Sequence, residues 1–203
     1  MTTYLTNIKR VLNEEAETIE IITKAVDSEE ASYNEAVEKI MNSRGKLIFM
    51  GVGKTGHIGA KLAATFSSLG IPSFFVHATE SMHGDLGMIT KDDIVVLISN
   101  SGETKESLAP VRFIKRIGAY TISMTRNNES SLAKACDLSL LVPVDHEADR
   151  LNLAPTNSST AALAVGDALA CTISEAKGFS QRDFAGFHPG GALGQKLFGS
   201  QNN

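Results

Sequence analysis

Apolar residues near the amino terminus recur with the spacing of amphipathic helices, with charged residues between them. The first predicted helix covers residues 6–26, and its inner face consists of Ile8, Leu12, Ala16, Ile19 and Ile22. The second is predicted to be capped by Asp27 or Ser28. Its inner face consists of Tyr33, Ala36, Val37, Ile40 and Met41.

After Gly45 the pattern changes to short apolar runs separated by helical stretches. The predicted strands are 46–52, 73–77, 94–99, 120–124 and 138–142. Runs that are apolar almost throughout are typical of strands buried on both faces, and helical spacers indicate parallel crossovers. The sequence therefore predicts an α/β fold, a doubly wound and mostly parallel five-stranded sheet flanked by helices, with its ligand site beyond the carboxyl ends of the strands.

Length and composition are consistent with one globular domain. The chain has 203 residues, of which 42% are hydrophobic, and this is enough for a full core. We expect a single domain over residues 1–203, with helices in 1–44 and an α/β core in 45–197. A long apolar helix is predicted at 158–177, and the segment 187–194 is predicted to form a loop and a short terminal helix.

Charge and targeting signals limit the partners and the location. Nineteen Lys and Arg residues against 23 Asp and Glu residues give a net charge of −4 without a basic run, which argues against nucleic acid or an anionic membrane as a partner. The amino terminus lacks a basic region followed by an apolar stretch, and the long apolar helix contains Asp167 and Glu175. We therefore expect no secretory signal, no membrane span and a cytoplasmic location.

Cysteine and histidine placement gives no sign of a disulfide or a metal site. Cys136 and Cys171 lie far apart in apolar helical surroundings, which favours buried free thiols. The five histidines do not show the i, i+4 spacing around a Glu that zinc sites use. We expect no metal and no cofactor.

The segment 99–104, Ser-Asn-Ser-Gly-Glu-Thr, directly follows the apolar run 94–98. A buried strand that ends in small hydroxyl residues, a glycine and a helix start places hydroxyls and backbone N–H groups at the positive end of a helix. Such a site binds phosphate esters without an arginine cluster. The pattern favours a small sugar phosphate as the ligand.

The loop at 51–56, Gly-Val-Gly-Lys-Thr-Gly, fits the dinucleotide pattern and partly fits a triphosphate loop. A triphosphate loop needs a glycine where Ile48 stands, and the dinucleotide pattern needs an acid at the end of the second strand, where Glu80 comes late. Both motifs share glycines that allow close backbone approach and a helix start that favours an anion. Lys54 is suited to a phosphate or a developing enediolate oxygen, or it is a solvated lysine on a tight turn.

Three further motifs join these two loops. They are 83–88, His-Gly-Asp-Leu-Gly-Met; 153–160, Leu-Ala-Pro-Thr-Asn-Ser-Ser-Thr; and 188–194, His-Pro-Gly-Gly-Ala-Leu-Gly. Together the five motifs, in this order, resemble the sugar isomerase (SIS) domain family. Within it the set is similar to the arabinose-5-phosphate isomerase branch, over residues 45–197.

The resemblance implies the SIS fold and an aldose–ketose isomerisation of arabinose 5-phosphate to ribulose 5-phosphate, without a redox cofactor or metal. The catalytic residues that it implies are Lys54, Glu106, Glu147 and His188. The substrate-binding residues are Gly53, Thr55, His83, Ser99, Asn100, Ser101, Thr104 and Thr156. It also implies a homodimer or homotetramer in which His188 completes a neighbouring subunit's site.

The expected chemistry needs a base, a cation or acid for the developing oxyanion, and help in opening the sugar ring. Glu147 is the candidate base, since a carboxylate in a partly dry pocket can have its pKa raised, although a solvated loop acid is the plain alternative. Lys54 would stabilise the enediolate, and His188 would move the ring-opening proton. Glu106 would orient Lys54 or act as an acid or base, or it is an exposed carboxylate in a helix's first turn. Asp167 is expected to satisfy a buried polar partner.

Two alternative functions stay open. One is a non-catalytic sugar-phosphate sensor on the same fold, because fold does not determine activity. The other is an isomerase of a hexose or amino-sugar phosphate. Members of the branch often carry a pair of cystathionine-β-synthase-type domains, whereas this chain stops at Asn203, so we expect regulation through such a pair to be absent.

Overall fold

The computed structural model describes residues 3–190 of the chain. Five parallel strands form one sheet in the order β2-β1-β3-β4-β5. The strands are β1 Leu47–Gly51, β2 Ser73–His77, β3 Ile94–Ile98, β4 Tyr120–Thr125 and β5 Leu138–Leu141. The predicted α/β class is confirmed, and every strand lies within one residue of its predicted limits.

Helices connect the strands and cover both faces of the sheet. They are α1 Tyr4–Ser28, α2 Glu30–Asn42, α3 Gly53–Ser68, α4 Ala78–Ser81, α5 Lys105–Leu108, α6 Val111–Ile117, α7 Ser131–Ala135, α8 Asn157–Ala176 and α9 Gln181–Phe187. A 3-10 turn at Asp85–Met88 follows α4. The part of the predicted terminal loop and helix beyond residue 190 lies outside the described residues, as does the predicted core limit at 197.

The side chains of the central strands alternate between two cores. Leu47 and Phe49 of β1 join the core beneath α1, α2, α3 and α8, whereas Ile48 and Met50 join the core on the opposite face. Burial is complete along β1 and β3. The edge strands β2 and β5 are partly buried, which corrects the expectation that all five runs are buried on both faces. Each edge strand has a neighbour on one side only, so its outer surface is less covered.

The predicted inner face of the first helix is largely wrong for this chain. Ile22 is 5% exposed, but Ile8 and Leu12 are 56% and 61% exposed. The helix packs on α8 near its middle and end, and most apolar residues of its first three turns lie at the surface. The second helix begins after Glu29 rather than at Asp27 or Ser28, because α1 continues to Ser28, and Glu29 provides no side-chain cap.

Two single-residue expectations also need correction. Asp167 pairs with Lys61 of α3 at the half-exposed surface, and does not satisfy a buried polar group. Cys136 is buried as expected, but Cys171 is exposed, and both thiols are free. Burial raises the pKa of the Cys136 thiol to about 12. Among residues 3–190, no helix combines the length and the apolar character that a membrane span requires.

The strand order determines where a ligand can bind. The chain leaves β1 toward β2 on one side and returns to β3 on the other, so connections diverge between β1 and β3. In open parallel sheets the crevice at such a point, outside the carboxyl ends of the strands, is the ligand site. The loops after β1 and β3 therefore border this crevice.

The contact between α8 and α3 depends on a glycine. A Cβ atom added at Gly166 would lie 2.4 Å from both methyl carbons of Leu62, which is fully buried. We predict that Gly166→Ala lowers the free energy of unfolding by about 1–3 kcal/mol, the usual cost of overpacking a core. Urea unfolding measures this change.

Gly186→Ala is the matched control, since Gly186 is also helical and nothing lies within 4 Å of its added Cβ. That variant is expected to be neutral or slightly more stable, because alanine favours helix. Equal effects of the two substitutions would contradict close packing at Gly166.

Candidate active site

The loops after β1 and β3 meet at one cavity of about 460 Å³. Seven of the predicted site residues line it: Lys54, Thr55, Ser99, Asn100, Ser101, Thr104 and Glu147. Other lining residues include Arg126, His146, Asn152, Leu153 and Ser158. The two loops singled out from the sequence thus face a common space.

The hydroxyl loop at 99–104 is held by its own hydrogen bonds. Ser99 Oγ accepts a hydrogen bond from the Gly102 N–H at 3.2 Å and donates one to Thr104 Oγ1 at 3.3 Å. Gly102 has a φ of +68°, and a Cβ there would lie 2.2 Å from Ser130 Oγ. Glycine is therefore required at the tightest point of the loop.

The neighbouring helix α7 anchors the same loop. The Glu103 carboxylate accepts hydrogen bonds from the backbone N–H and the hydroxyl of Ser131, at 2.8 and 2.7 Å. The Leu132 N–H donates to the Gly102 carbonyl at 3.0 Å. These contacts preorganise the hydroxyl groups before any ligand binds.

Helix α3 gives the hydroxyl-loop side of the site a positive helix end. The helix after the hydroxyl loop, α5, has only four residues, so the expected positive helix end at that loop is weak. By contrast, α3 has 16 residues and begins beside the cavity at Gly53, whose φ is +54°. Val52 supplies no side-chain acceptor to its first turn, which leaves N–H groups available to an anion. Lys54 lies exposed in this same turn.

Glu147 is tied to the start of α8. Its Oε2 atom accepts hydrogen bonds from the Thr156 N–H at 2.7 Å, the Thr156 hydroxyl at 3.2 Å and the Ser158 N–H at 3.1 Å. Partial burial raises the pKa of Glu147, but the hydrogen bonds from Ser158 and Thr156 together outweigh it and bring the pKa below its ordinary value. The expectation of a raised pKa is therefore wrong, and the carboxylate is ionised at neutral pH.

A compact turn shapes the loop that carries Glu147. The Asp149 carboxylate accepts hydrogen bonds from the N–H groups of Leu151, Leu153 and Ala154, at 2.7–2.8 Å. Asn152 has a φ of +53°, and its Oδ1 accepts a hydrogen bond from the Glu147 N–H at 2.7 Å. The acidic residues here therefore hold the backbone in place and are not simply solvated.

Five predicted site residues do not line the cavity as residues 3–190 define it: Gly53, His83, Glu106, Thr156 and His188. Glu106 and His83 are exposed, in α5 and before the 3-10 turn. Gly53 lies between two lining residues, Val52 and Lys54. Thr156 does not face the cavity itself, but its N–H donates a hydrogen bond to the Glu147 carboxylate, which does.

His188 lies near the carboxyl end of α8, because the ring of the adjacent Phe187 stacks on Phe179 with centroids 6.1 Å apart, whereas the amino end of α8 borders the cavity. The helix has 20 residues and spans about 30 Å, and beyond its end Lys177 Nζ contacts the Met41 carbonyl, just before β1 begins. The His188 ring stacks on Phe184 with ring centroids 3.9 Å apart. Its Nδ1 lies 2.8 Å from the Phe184 carbonyl, which can only accept, so Nδ1 carries the proton and Nε2 remains available for proton transfer.

Sequence reasoning missed Arg126 and His146 as lining residues. Each follows the carboxyl end of a strand, β4 and β5, and lies within five residues of that end. The placement of ligand sites at that edge of a parallel sheet was the available signal. Within the described part of the chain, no group of three His, Cys, Asp or Glu side chains is arranged to hold a metal.

Curated proteins from several bacteria are about 50% identical to the chain. The arabinose 5-phosphate isomerase KdsD of Pseudomonas aeruginosa is 51% identical over 184 residues, which cover 89% of this chain and 56% of that protein. The protein of the same name from Escherichia coli K12 is 53% identical over 166 residues, 82% of this chain and 51% of that protein. The chain thus spans about half the length of the curated relatives it matches.

Solved structures agree with this likeness. The Escherichia coli CFT073 protein c3406, solved in complex with arabinose 5-phosphate, has a TM-score of 0.85 and 50% identity, and covers 90% of this chain and 95% of its own. A Listeria monocytogenes protein has a TM-score of 0.85 at 32% identity, over 92% and 96% of the two chains. The family model described as the SIS domain matches residues 39–172. On these grounds, and on its sheet topology, the chain belongs to the SIS domain family.

Proposed function

We propose that this chain isomerises arabinose 5-phosphate to ribulose 5-phosphate through an enediol intermediate. The observation that carries the proposal is the meeting of neutral hydroxyl groups from the loop at 99–104 and an ionised carboxylate, Glu147, at one cavity. The names of the relatives at about 50% identity, and the sugar phosphate bound to one of them, support the same substrate.

The phosphate group fits the side of the cavity formed by α3 and the hydroxyl loop. Ser99, Ser101, Thr104 and Thr55 offer hydroxyl groups, and the first turn of α3 offers N–H groups and the positive end of its dipole. The sugar then extends toward the wall that carries Glu147. Arg126, on the same rim, adds a positive charge near the bound anion.

The proposed reaction moves one proton and one double bond. Glu147 removes the proton from C2 of the open-chain aldose, a C1–C2 double bond forms, and the aldehyde oxygen takes the charge and then a proton. The proton returns to C1 as the hydroxyl at C2 loses its own, which produces the ketose with no outside oxidant or reductant. Lys54 would stabilise the enediolate oxygen, and Glu106 would orient Lys54 or act as a second acid or base.

A second copy of the chain would complete the site. His188 follows α9, beyond the carboxyl end of α8, whereas the other end of this helix, about 30 Å away along its axis, borders the cavity. The exposed apolar residues on the first turns of α1, together with Leu151 and Leu153, offer surface for self-association. We therefore propose a homodimer or homotetramer in which His188 of one subunit serves its neighbour and moves the ring-opening proton.

Substrate and base can be tested together by deuterium exchange. With arabinose 5-phosphate in D2O, NMR should show deuterium entering next to the carbonyl, and Glu147→Gln should slow this about 100- to 10,000-fold, the range for losing a general base. The glutamine oxygen can still accept the N–H groups of Thr156 and Ser158, so phosphate affinity should persist. Glu38→Gln, at an exposed position of α2, is the control.

The other functions predict different results. Binding of the sugar phosphate by the unaltered protein without exchange would indicate a sensor. Exchange with hexose or amino-sugar phosphates alone would indicate the related isomerase.

The ionisation of Glu147 determines the acid limb of the pH profile. Because its folded pKa is lowered, kcat/KM should not fall through protonation of this base until the pH is below about 4.5, the ordinary value. Thr156→Val removes one hydrogen bond to the carboxylate and should raise the pKa. NMR titration of the labelled carboxyl carbon measures the pKa of Glu147 in the unaltered protein and in Thr156→Val. A pKa near neutrality in the unaltered protein would contradict the prediction.

The lowered pKa of Glu147 also makes the stability of the fold depend on pH. A carboxylate whose pKa is lower when folded than when unfolded stabilises the fold above the unfolded pKa, and this contribution is lost as the pH falls through the folded value. Glu147→Gln should therefore weaken the acid dependence of unfolding.

Shared sites can be tested by mixing inactive variants. Glu147→Gln and His188→Ala, co-expressed with different tags and purified through both, should regain about half of the wild-type activity per dimer, because one of two symmetric sites is intact. Each variant alone should stay inactive. Mixed oligomers no more active than the parents would show that His188 does not serve a neighbouring subunit.

A further inference from the structure

Helix α1 contacts the loop that carries Glu147. Arg10 Nη1 donates a hydrogen bond to the carbonyl oxygen of Ala148 at 3.0 Å, across 138 positions of sequence. Ala148 is fully buried and directly follows Glu147. The guanidinium group is thus bound to the peptide unit next to the proposed base.

Arg10 is itself held in place. The same Nη1 contacts Glu14 Oε1 one turn along α1 at 2.6 Å, and Arg10 Nε is buried without a hydrogen-bond partner in the described part of the chain. The Arg10 side chain is thus partly buried, with 36% of its surface exposed, and its Nε side lies against protein. A planar, always charged group of this kind suits a fixed bridge better than a flexible lysine.

Other contacts connect α1 to both sides of Glu147. Glu14 Oε2 lies 3.7 Å from His146 Nε2, on the residue before the base. Arg150 donates to Asn7 Oδ1 at 3.2 Å, and Thr160 in the first turn of α8 donates to Glu15 Oε2 at 3.1 Å. The loop from β5 to α8 has no helix or strand of its own, so α1 supplies the outer support that regular structure would otherwise give.

We infer that Arg10 is a positioning residue, which holds Glu147 at reacting distance through the Ala148 carbonyl. This inference rests on the proposed isomerase function. The two parts of the site have separate supports. The hydroxyl loop proposed to hold phosphate follows β3 and is anchored by α7, whereas the loop of Glu147 is supported by α1. Loss of Arg10 should therefore affect proton transfer and leave phosphate binding unchanged.

The test compares Arg10→Ala with Arg10→Lys and with Lys9→Ala, an exposed neighbour on α1. Arg10→Ala should lower kcat about 10- to 100-fold, the scale for misplacing a reacting group by about 1 Å. KM for arabinose 5-phosphate and the calorimetric affinity for inorganic phosphate should stay within about twofold, a shift of less than roughly 0.5 kcal/mol. Added guanidinium at millimolar concentration should restore part of the kcat of Arg10→Ala only.

Arg10→Lys keeps the positive charge and one donor nitrogen. It should therefore fold even if Arg10→Ala does not, and it should show an intermediate kcat. A merely structural role would reduce kcat and the number of phosphate-binding sites in proportion, without rescue by guanidinium, and that result would overturn the inference. So would a wild-type kcat in both Arg10 variants.

Hydrogen exchange gives a measurement that does not depend on activity. In Arg10→Ala, the amides of residues 147–154 should exchange faster, and those of 99–104 should not change. If the unaltered protein acts on no sugar phosphate, the proposed function fails, and this exchange pattern still decides whether Arg10 holds the loop. Unchanged exchange at 147–154 would refute the positioning role even in an active enzyme.

Discussion

The pairing of β1 with β3 is the constraint on which the site depends. The two strands are parallel and aligned, with Met50 opposite Leu97, so they end at the same level of the sheet. Both are buried throughout, and a slip by one residue would turn their apolar side chains from one core to the other. The positions of Gly53 and Ser99 at one crevice thus follow from core packing, and the chemistry of the loops is built on that register.

The environment of Glu147 shows how two opposing effects on one carboxylate are resolved. Burial disfavours the charged form, whereas N–H and hydroxyl donors from the first turn of α8 favour it, and the donors prevail. The same bonds fasten the loop to the helix. The same hydrogen bonds therefore support the loop and keep the proposed base ionised. Arg10 of α1 supports the loop from its outer side.

Much of the fold and half of the candidate site could be predicted because the signals were local. An apolar run followed by small hydroxyl residues and glycine indicates where a strand ends and which side chains follow it. The positions of Ser99, Ser101 and Thr104 at the site could therefore be predicted. Glu147 was found through the family resemblance, but the expected direction of its pKa shift was wrong, since Thr156 and Ser158 donate hydrogen bonds to it from across the loop. The exposed face of α1 was misjudged because helical periodicity does not say which partner covers a stripe.

The sequence by itself determined the positions of the strands, their parallel arrangement and the hydroxyl and glycine loops, because these depend on residue type and spacing over a few positions. Only the tertiary structure decided that Arg126 and His146 share the cavity, that Arg10 reaches the loop of Glu147, and that His188 lies at the far end of α8. Those relations join residues far apart in sequence. They arise from how helices pack on the two faces of the sheet, which no local pattern encodes.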